Sequence, residues 1–184
     1  MADKTKFPGV VEFNKTVTAK STVSINGLMT ATNINNSKGT DIANDTNAVA
    51  IATSDHGKTF LCALNNAAKT VTLPAVVAAD VGMQIKIIQT ADLVGSGILT
   101  LDCASGATYS VNSYAIGVNS GRPLAATRPA DANTRIVITG AGSNSAWGIG
   151  SVATFTCVAA GEWHFALHAE PLGTGNDAIA FSTP

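Results

Sequence analysis

Apolar and polar residues alternate through the segment from Gly57 to Ile88, and the pattern predicts three short strands. The apolar positions are Phe60, Cys62 and Leu64, then Val71 and Leu73, then Met83, Ile85 and Ile87. A period of two is typical of strands that bury one face. Asn65–Asn66, Pro74 and Gly82 stand where these strands should end. The segment therefore predicts an antiparallel β scaffold with one buried face.

The same rhythm continues to the end of the chain. It gives roughly eight to ten strands, with turn signals about every dozen residues and no long amphipathic helix. Residues 48–184 are therefore predicted to form an all-β domain, an antiparallel β-sandwich. A jelly roll is the favoured topology, and another Greek-key sandwich is the alternative. The sequence leaves the secondary structure of one segment undecided. The sequence EWHFALHAE contains good helix formers, so residues 162–170 fit either a strand or a single helical stretch.

A short internal repeat precedes this domain. Residues 11–34 divide into the hexads VEFNKT, VTAKST, VSINGL and MTATNI, which are apolar at their first and third positions. A segment of this length is below the roughly 40 residues that usually fold unaided, so its apolar edge needs a cover. Threefold intertwining of arms from three chains would cover every copy equally and leave no free strand border. The alternative is a simple hairpin added to the main sheet.

These patterns divide the chain into three parts. Residues 1–34 are the N-terminal arm with the hexad β repeat. Residues 35–47, NNSKGTDIANDTN, are rich in turn formers and are predicted to be a linker. Residues 48–184 are the sandwich domain. A later stretch, residues 119–134, contains two prolines and two arginines and is predicted to be an exposed contact loop.

Composition narrows the function classes. The chain has 184 residues, 46 % apolar and 12 % charged, with a formal charge of −1. A chain of this length can bury one main hydrophobic core. Its nearly balanced charge gives no positive electrostatic field that would attract nucleic acid. No apolar run approaches the roughly 18 residues that a membrane span needs, so we expect a soluble protein with no membrane contact. Cys62, Cys103 and Cys157 lie in apolar runs and are expected to be buried free thiols.

No catalytic or metal-binding constellation assembles in the sequence. On a helix, His164 and His168 would lie one turn apart and share an ion. On a strand, they would be roughly 13 Å apart and on one polar face with Glu162 and Glu170. His56 is far off in a polar turn, and no cysteine stands beside a histidine that would activate it. We therefore expect no enzyme activity, no metal and no cofactor.

Several short motifs resemble those of tailed-phage virion proteins. They are Gly57-Lys58-Thr59-Phe60-Leu61, Val71-Thr72-Leu73-Pro74, Gly82 before Gln84-Ile85-Lys86-Ile87-Ile88, Gly150-Ser151-Val152, Cys157 and Gly161-Glu162-Trp163. Together they resemble the β-rich domains of capsid decoration (cement) proteins and of tail-fibre segments. The hexad arm resembles the intertwined stems of phage fibres. The resemblance implies a homotrimer on the virion, with neither enzymatic activity nor a cofactor.

Within this resemblance, the short length favours a decoration protein. Such a protein is made in the host cytoplasm, binds the major capsid protein on the head surface and stabilises the head. The residues predicted to make the trimer and capsid contacts of the arm are Phe7, Val11, Phe13, Val17, Val23 and Ile25. Arg122 and Arg128 are predicted contacts of the loop. The alternative is a tail-fibre or receptor-binding protein that recognises a host surface glycan. A lectin-like β-sandwich is a further alternative. It would need an exposed aromatic or acidic cluster in a loop, and Tyr109, Tyr114 and Trp147 are the candidate rings.

Overall fold

The described part of the chain is a two-sheet β structure. The computed structural model describes residues 40–119, 122–123, 128–130, 132–141, 144–145, 147–170 and 179–183. The strands in these residues are β1 Thr40–Ile42, β2 Val49–Ala50, β3 Thr59–Cys62, β4 Ala68–Leu73, β5 Gln84–Gln89, β6 Ile98–Cys103, β7 Thr108–Tyr109, β8 Tyr114–Asn119, β9 Arg122–Pro123, β10 Arg135–Ala141, β11 Asn144–Ser145, β12 Val152–Ala159, β13 Glu162–Ala169 and β14 Ile179–Ser182. Two short 3₁₀ helices cover Thr53–Asp55 and Ala78–Asp80. The predicted all-β class is confirmed.

The first six strands alternate between the two sheets. The first sheet contains β1, β3 and β5 as parallel neighbours, with Thr40 opposite Phe60 and Phe60 opposite Ile87. The second sheet contains β2, β4 and β6, also parallel, with Val49 opposite Val71 and Val71 opposite Leu101. The chain therefore passes from one sheet to the other with every successive strand.

This winding corrects the predicted antiparallel scaffold. The turn at Asn65–Asn66 does not fold β4 back beside β3 but leads it into the opposite sheet. The period of two fixes which side chains face the interior, and it does so equally for parallel and antiparallel neighbours. A jelly roll is wound from antiparallel strands. The parallel pairs of the first six strands depart from that arrangement.

Antiparallel pairing appears in the later strands. The first sheet has the order β1-β3-β5-β12-β13-β8-β9, with β7 also beside β13. In it, β12 is antiparallel to β5 and β13, whereas β7 and β8 run parallel to β13. The second sheet has the order β11-β10-β6-β4-β2, with β14 beside β10. Both sheets therefore contain parallel as well as antiparallel pairs of strands.

The inner faces of the two sheets pack into one core. Tyr109 of the first sheet packs edge-on against Phe165, with ring centroids 5.1 Å apart, and its hydroxyl donates to the Leu101 carbonyl of the second sheet at 3.0 Å. Phe165 also stacks on Phe181 of β14 at 5.7 Å. Trp163 is fully buried and donates its indole N–H to the Pro74 carbonyl. These contacts join the sheets as a β-sandwich.

The sandwich begins earlier than the sequence predicts. Strand β1 lies inside the predicted linker 35–47 and pairs with β3. The loop after β1 brings the Asp45 carboxylate to 2.5 Å from the ammonium of Lys69, whose side chain is buried beneath it. Residues 40–47 are thus part of the folded domain. The arm, residues 1–34, and the rest of the predicted linker lie outside the described residues.

Two local expectations can be compared with the structure. Residues 162–169, for which both a strand and a helix were open, form strand β13. The three cysteines are free and buried, as predicted. Burial raises the pKa of the Cys103 thiol to about 12, so this cysteine is a protonated thiol at neutral pH. No helix in the described part of the chain has the length and apolar character to cross a membrane.

Candidate contact surfaces

The residues predicted to make contacts fall in two regions. The arm residues Phe7, Val11, Phe13, Val17, Val23 and Ile25 lie outside the described residues. Arg122 lies in β9, which pairs antiparallel with β8, and its backbone partner in β8 is Asn119. Arg128 is exposed. The stretch 119–134 therefore includes a strand, which corrects the prediction of a continuous loop.

Strand β13 puts both of its histidines on the outer face of the first sheet. Their neighbours Trp163, Phe165 and Leu167 point inward and are buried, as the strand alternative predicts. Four residues along a strand span about 13 Å, so His164 and His168 cannot grip one ion. Among the described residues there is no group of three His, Cys, Asp or Glu side chains that would hold a metal.

An aromatic ring lies between these two histidines. Tyr114 of β8 packs edge-on against both His164 and His168, with ring centroids 6.3 Å away in each case. Tyr109 and Trp147, the other rings considered for glycan contact, are buried in the core. Tyr114 is half-buried, so part of its ring faces outward. The outer face of the first sheet thus presents a small aromatic cluster.

His56 has a structural partner. It is exposed, as the polar turn predicts, and its Nδ1 accepts a hydrogen bond from the Gln84 backbone N–H at 3.0 Å. In the same turn, the Lys58 ammonium pairs with the Asp55 carboxylate at 2.6 Å. These contacts fix the start of β3 next to the start of β5. His56 therefore orders one end of the first sheet.

Exposed valines gather at that same end of the sandwich. Val77 and Val81 flank the 3₁₀ helix between β4 and β5, and their side chains are 61 % and 54 % exposed. Val158, 43 % exposed, lies at a bulge of β12 where the register with β13 shifts. Val158 has the outward-facing parity of β12, so its exposure follows the regular alternation of the strand. We define the valine surface as Val77, Ala78, Ala79, Val81 and Val158.

Backbone hydrogen bonds join the two parts of the valine surface. The N–H of Gly82 donates to the Cys157 carbonyl, and the N–H of Gly161 donates to the Val76 carbonyl, both at 2.9 Å. An open recess of about 290 Å³ adjoins the surface, with Ala79 and Val81 on one side, His56 on another and the buried Met83 in its lining. The surface therefore combines exposed apolar side chains with a shallow depression.

Sequence reasoning missed this surface. Its signal is the run PAVVAADVG, in which apolar residues follow the strand-ending Pro74 without alternation. Such a run has no sheet face to bury, so its valines are candidates for exposure. The lone charged residue of the run is Asp80, whose carboxylate accepts a hydrogen bond from the Val77 N–H at 2.9 Å.

Most of the motifs on which the expected resemblance to phage virion proteins rests lie in the first sheet. Most of their residues lie in or next to β3, β5, β12 and β13, which are consecutive neighbours in the first sheet. Four of their glycines have positive φ angles: Gly57 at 76°, Gly82 at 92°, Gly150 at 93° and Gly161 at 70°. Glycine is the residue that adopts these angles without strain. The motif Val71-Thr72-Leu73-Pro74 is the exception, because it lies in and after β4 of the second sheet.

Comparison with known proteins found no matching family model, no similar curated protein and no similar solved structure.

Proposed function

We propose that this chain is a structural protein of a tailed-phage virion, a capsid decoration or cement protein. In this role it binds the major capsid protein on the head surface and stabilises the head. The observation that carries the proposal is the motif set: most of its residues lie in or next to four neighbouring strands of the first sheet, and Val71-Thr72-Leu73-Pro74 lies in and after β4 of the second. Motifs that lie mostly side by side in one sheet support a resemblance better than scattered matches do.

The proposed mechanism is stapling by a homotrimer. The apolar hexad edges of three arms pack against one another. Each sandwich then contacts a different part of the capsid lattice. Individually weak contacts become strong together, because the first contact raises the effective concentration of the others. No catalytic residue, cofactor, nucleic acid or membrane takes part. The protein is made in the host cytoplasm and acts on the capsid surface.

Co-sedimentation with capsids tests this function. The purified full-length chain is mixed with phage heads that lack it, and light scattering gives its mass in solution. We expect saturable binding by a trimer. A protein that does not sediment with the heads at any concentration would contradict the proposal.

A tail-fibre or receptor-binding role is the second candidate, and one observation favours it. The Tyr114 ring is partly exposed on the outer face of the first sheet, between His164 and His168. A tyrosine offers an apolar ring face together with a polar tip, which suits a sugar. Glycan-array binding that is lost in Tyr114→Ala, by a chain that ignores capsids, would establish this role instead.

A further inference from the structure

We propose that the outer face of the first sheet binds an acidic oligosaccharide chain. This binding activity goes beyond the proposed head contact. It depends on side chains of the sheet alone, and it holds whether or not the protein decorates a capsid.

One row of outward side chains crosses five strands of this sheet. Paired residues on neighbouring strands project from the same face. The register pairs Tyr114 of β8 with Ala166 of β13, and Ala166 with Thr154 of β12. It then pairs Thr154 with Lys86 of β5, and Lys86 with Thr59 of β3. The residues on either side of them in β5, β12 and β13 are buried, so the row lies on the outer face. We define the sheet trough as these five residues.

The sheet trough has a low floor and two distinct ends. Ala166 and Thr154 have small side chains and form the floor. On β13, His164 and His168 stand on either side of Ala166 and contact the Tyr114 ring, with ring centroids 6.3 Å away in each case. At its other end the trough opens into a recess of about 160 Å³, which is lined by residues in or next to β3, β5 and β12. The trough therefore runs from an aromatic end to a polar end.

The two sides of the sheet trough differ in polarity. On one side the register aligns His164, Thr156 and Gln84, whose side chains carry hydrogen-bonding groups. On the other side it aligns Val152 with Ile88, both half-buried. A sugar ring likewise has hydroxyl groups at its edge and C–H groups on its faces, and a tyrosine ring offers an apolar face to such a ligand. A sugar chain therefore matches the trough along its length.

Lys86 supplies the charge that selects an acidic sugar. It is exposed, and within the described residues it makes no ion pair. Its nearest neighbours on the same face are two threonines, a glutamine and an isoleucine, all uncharged. Glu162 shares the face but precedes His164 and lies outside the trough. By contrast, Lys58 at the same recess already pairs with Asp55 at 2.6 Å. An acidic group of the ligand is the partner that Lys86 lacks.

The separation of the two ends requires a chain rather than a single sugar. Tyr114 and Lys86 lie three strand spacings apart, which is about 14 Å. A peptide strand would pair with the edge of a sheet rather than lie on its face. A nucleic acid needs several cations for its phosphates, whereas the trough contains one lysine. An oligosaccharide with an acidic unit is the ligand that fits both ends.

Titration with acidic and neutral oligosaccharides tests this inference. The acidic probes are oligomers of galacturonate, of mannuronate and of sialic acid, and the neutral probes are oligomers of glucose and of mannose. We expect the full-length chain to bind an acidic probe more tightly than either neutral one in calorimetry. Lys86→Gln should lower that affinity about two- to fivefold, the range of one exposed ion pair. Lys58→Gln is the matched control and should bind like the unaltered chain, because Lys58 is already paired with Asp55.

Two variants of Tyr114 test the aromatic end. Tyr114→Ala should weaken binding of the same acidic probe about fivefold or more, because the ring is lost, whereas Tyr114→Phe keeps the ring and should bind nearly as the unaltered chain does. Melting curves show that each variant is folded. Unaltered binding by folded Lys86→Gln and Tyr114→Ala would overturn the site.

Head binding is measured in parallel with the same preparations. A chain that binds heads and none of the five probes would overturn this inference and leave the proposed function intact. A chain that binds an acidic probe through Lys86 and Tyr114 and does not bind heads would support this inference and contradict the proposed function.

Discussion

Gln89 is a polar side chain inside the apolar interior, where it is 1 % exposed. Its Nε2 donates to the carbonyls of Leu64, at 2.6 Å, and of Ala91, and its Oε1 accepts the indole N–H of Trp147 at 3.0 Å. Gln89→Leu removes all three hydrogen bonds. The carbonyls of Leu64 and Ala91 then lose this donor in the interior, where water does not replace it. We expect the free energy of unfolding to fall by about 2–4 kcal/mol in urea titration.

The same strand supplies a control for this substitution. Gln84 begins β5 and is exposed on the outer face of the first sheet. Gln84→Leu should change the free energy of unfolding by less than about 0.5 kcal/mol. Equal losses in the two variants would mean that the buried hydrogen bonds of Gln89 do not matter for stability.

The pair of Asp45 and Lys69 makes stability depend on pH. The hydrogen bond from the buried Lys69 ammonium, followed by that from the Asn47 N–H, lowers the pKa of the Asp45 carboxyl below its ordinary 3.8. A carboxyl with a lowered pKa stabilises the fold fully above its ordinary pKa and loses that stabilisation as the pH falls through the lowered value. Asp45→Asn should therefore reduce the melting temperature at neutral pH and flatten its fall in acid.

Melting curves between about pH 7 and about pH 2.5 check this expectation. Lys69→Met is the companion variant, because it removes the buried charge and keeps most of the side-chain volume. It should also flatten the acid dependence, with a smaller loss at neutral pH than Asp45→Asn, which leaves the ammonium buried without this carboxylate. If the melting temperature of both variants fell in acid as it does in the unaltered protein, the ion pair would not be the cause of the acid dependence.

At the scale of elements, the winding of the first six strands predicts a gradient of local stability. Strand β5 lies between β3 and β12 in the first sheet, and β6 lies between β4 and β10 in the second. β1 and β2, of three and two residues, end the two described strand orders. Amide hydrogen exchange should be slowest in β5 and β6 and fastest in β1 and β2. Protection of β1 equal to that of β5 would contradict this order.

The same strands show what the sequence could predict. The alternation from Phe60 to Ile87 correctly identified the buried side chains, because one face of each strand must leave water. It did not identify the neighbours, since parallel and antiparallel strands share that period. The strand at 162–169 needed the structure as well: its good helix formers compete with the pairing that β12 offers along its length.

The candidate contact residues show a similar limit. The exposed position of Arg128 follows from a run of loop formers, whereas the hairpin of Arg122 depends on the pairing of β9 with β8. The valine surface depends on a contact between segments far apart in the chain, from Gly82 to Cys157. No local pattern encodes that contact. The arm was interpreted from its hexads alone, and its role remains a prediction.

At the scale of the whole molecule, the arm should control assembly. Val17 opens the second hexad, and Val17→Lys would bring three ammonium groups to one apolar axis of the predicted trimer. We expect sedimentation to show monomers at low concentration. Thr18→Lys adds the same charge at the neighbouring polar position and should leave the trimer intact. A Val17→Lys variant that remains trimeric would contradict the intertwined arm.

The proposed cement function requires that the protein binds the head and strengthens it. The most direct measurement is the temperature at which heads lacking the protein release their DNA, recorded as the purified full-length chain is added. We expect this temperature to rise with occupancy and to reach a plateau at saturation. A release temperature that stays constant on fully occupied heads would contradict the cement function.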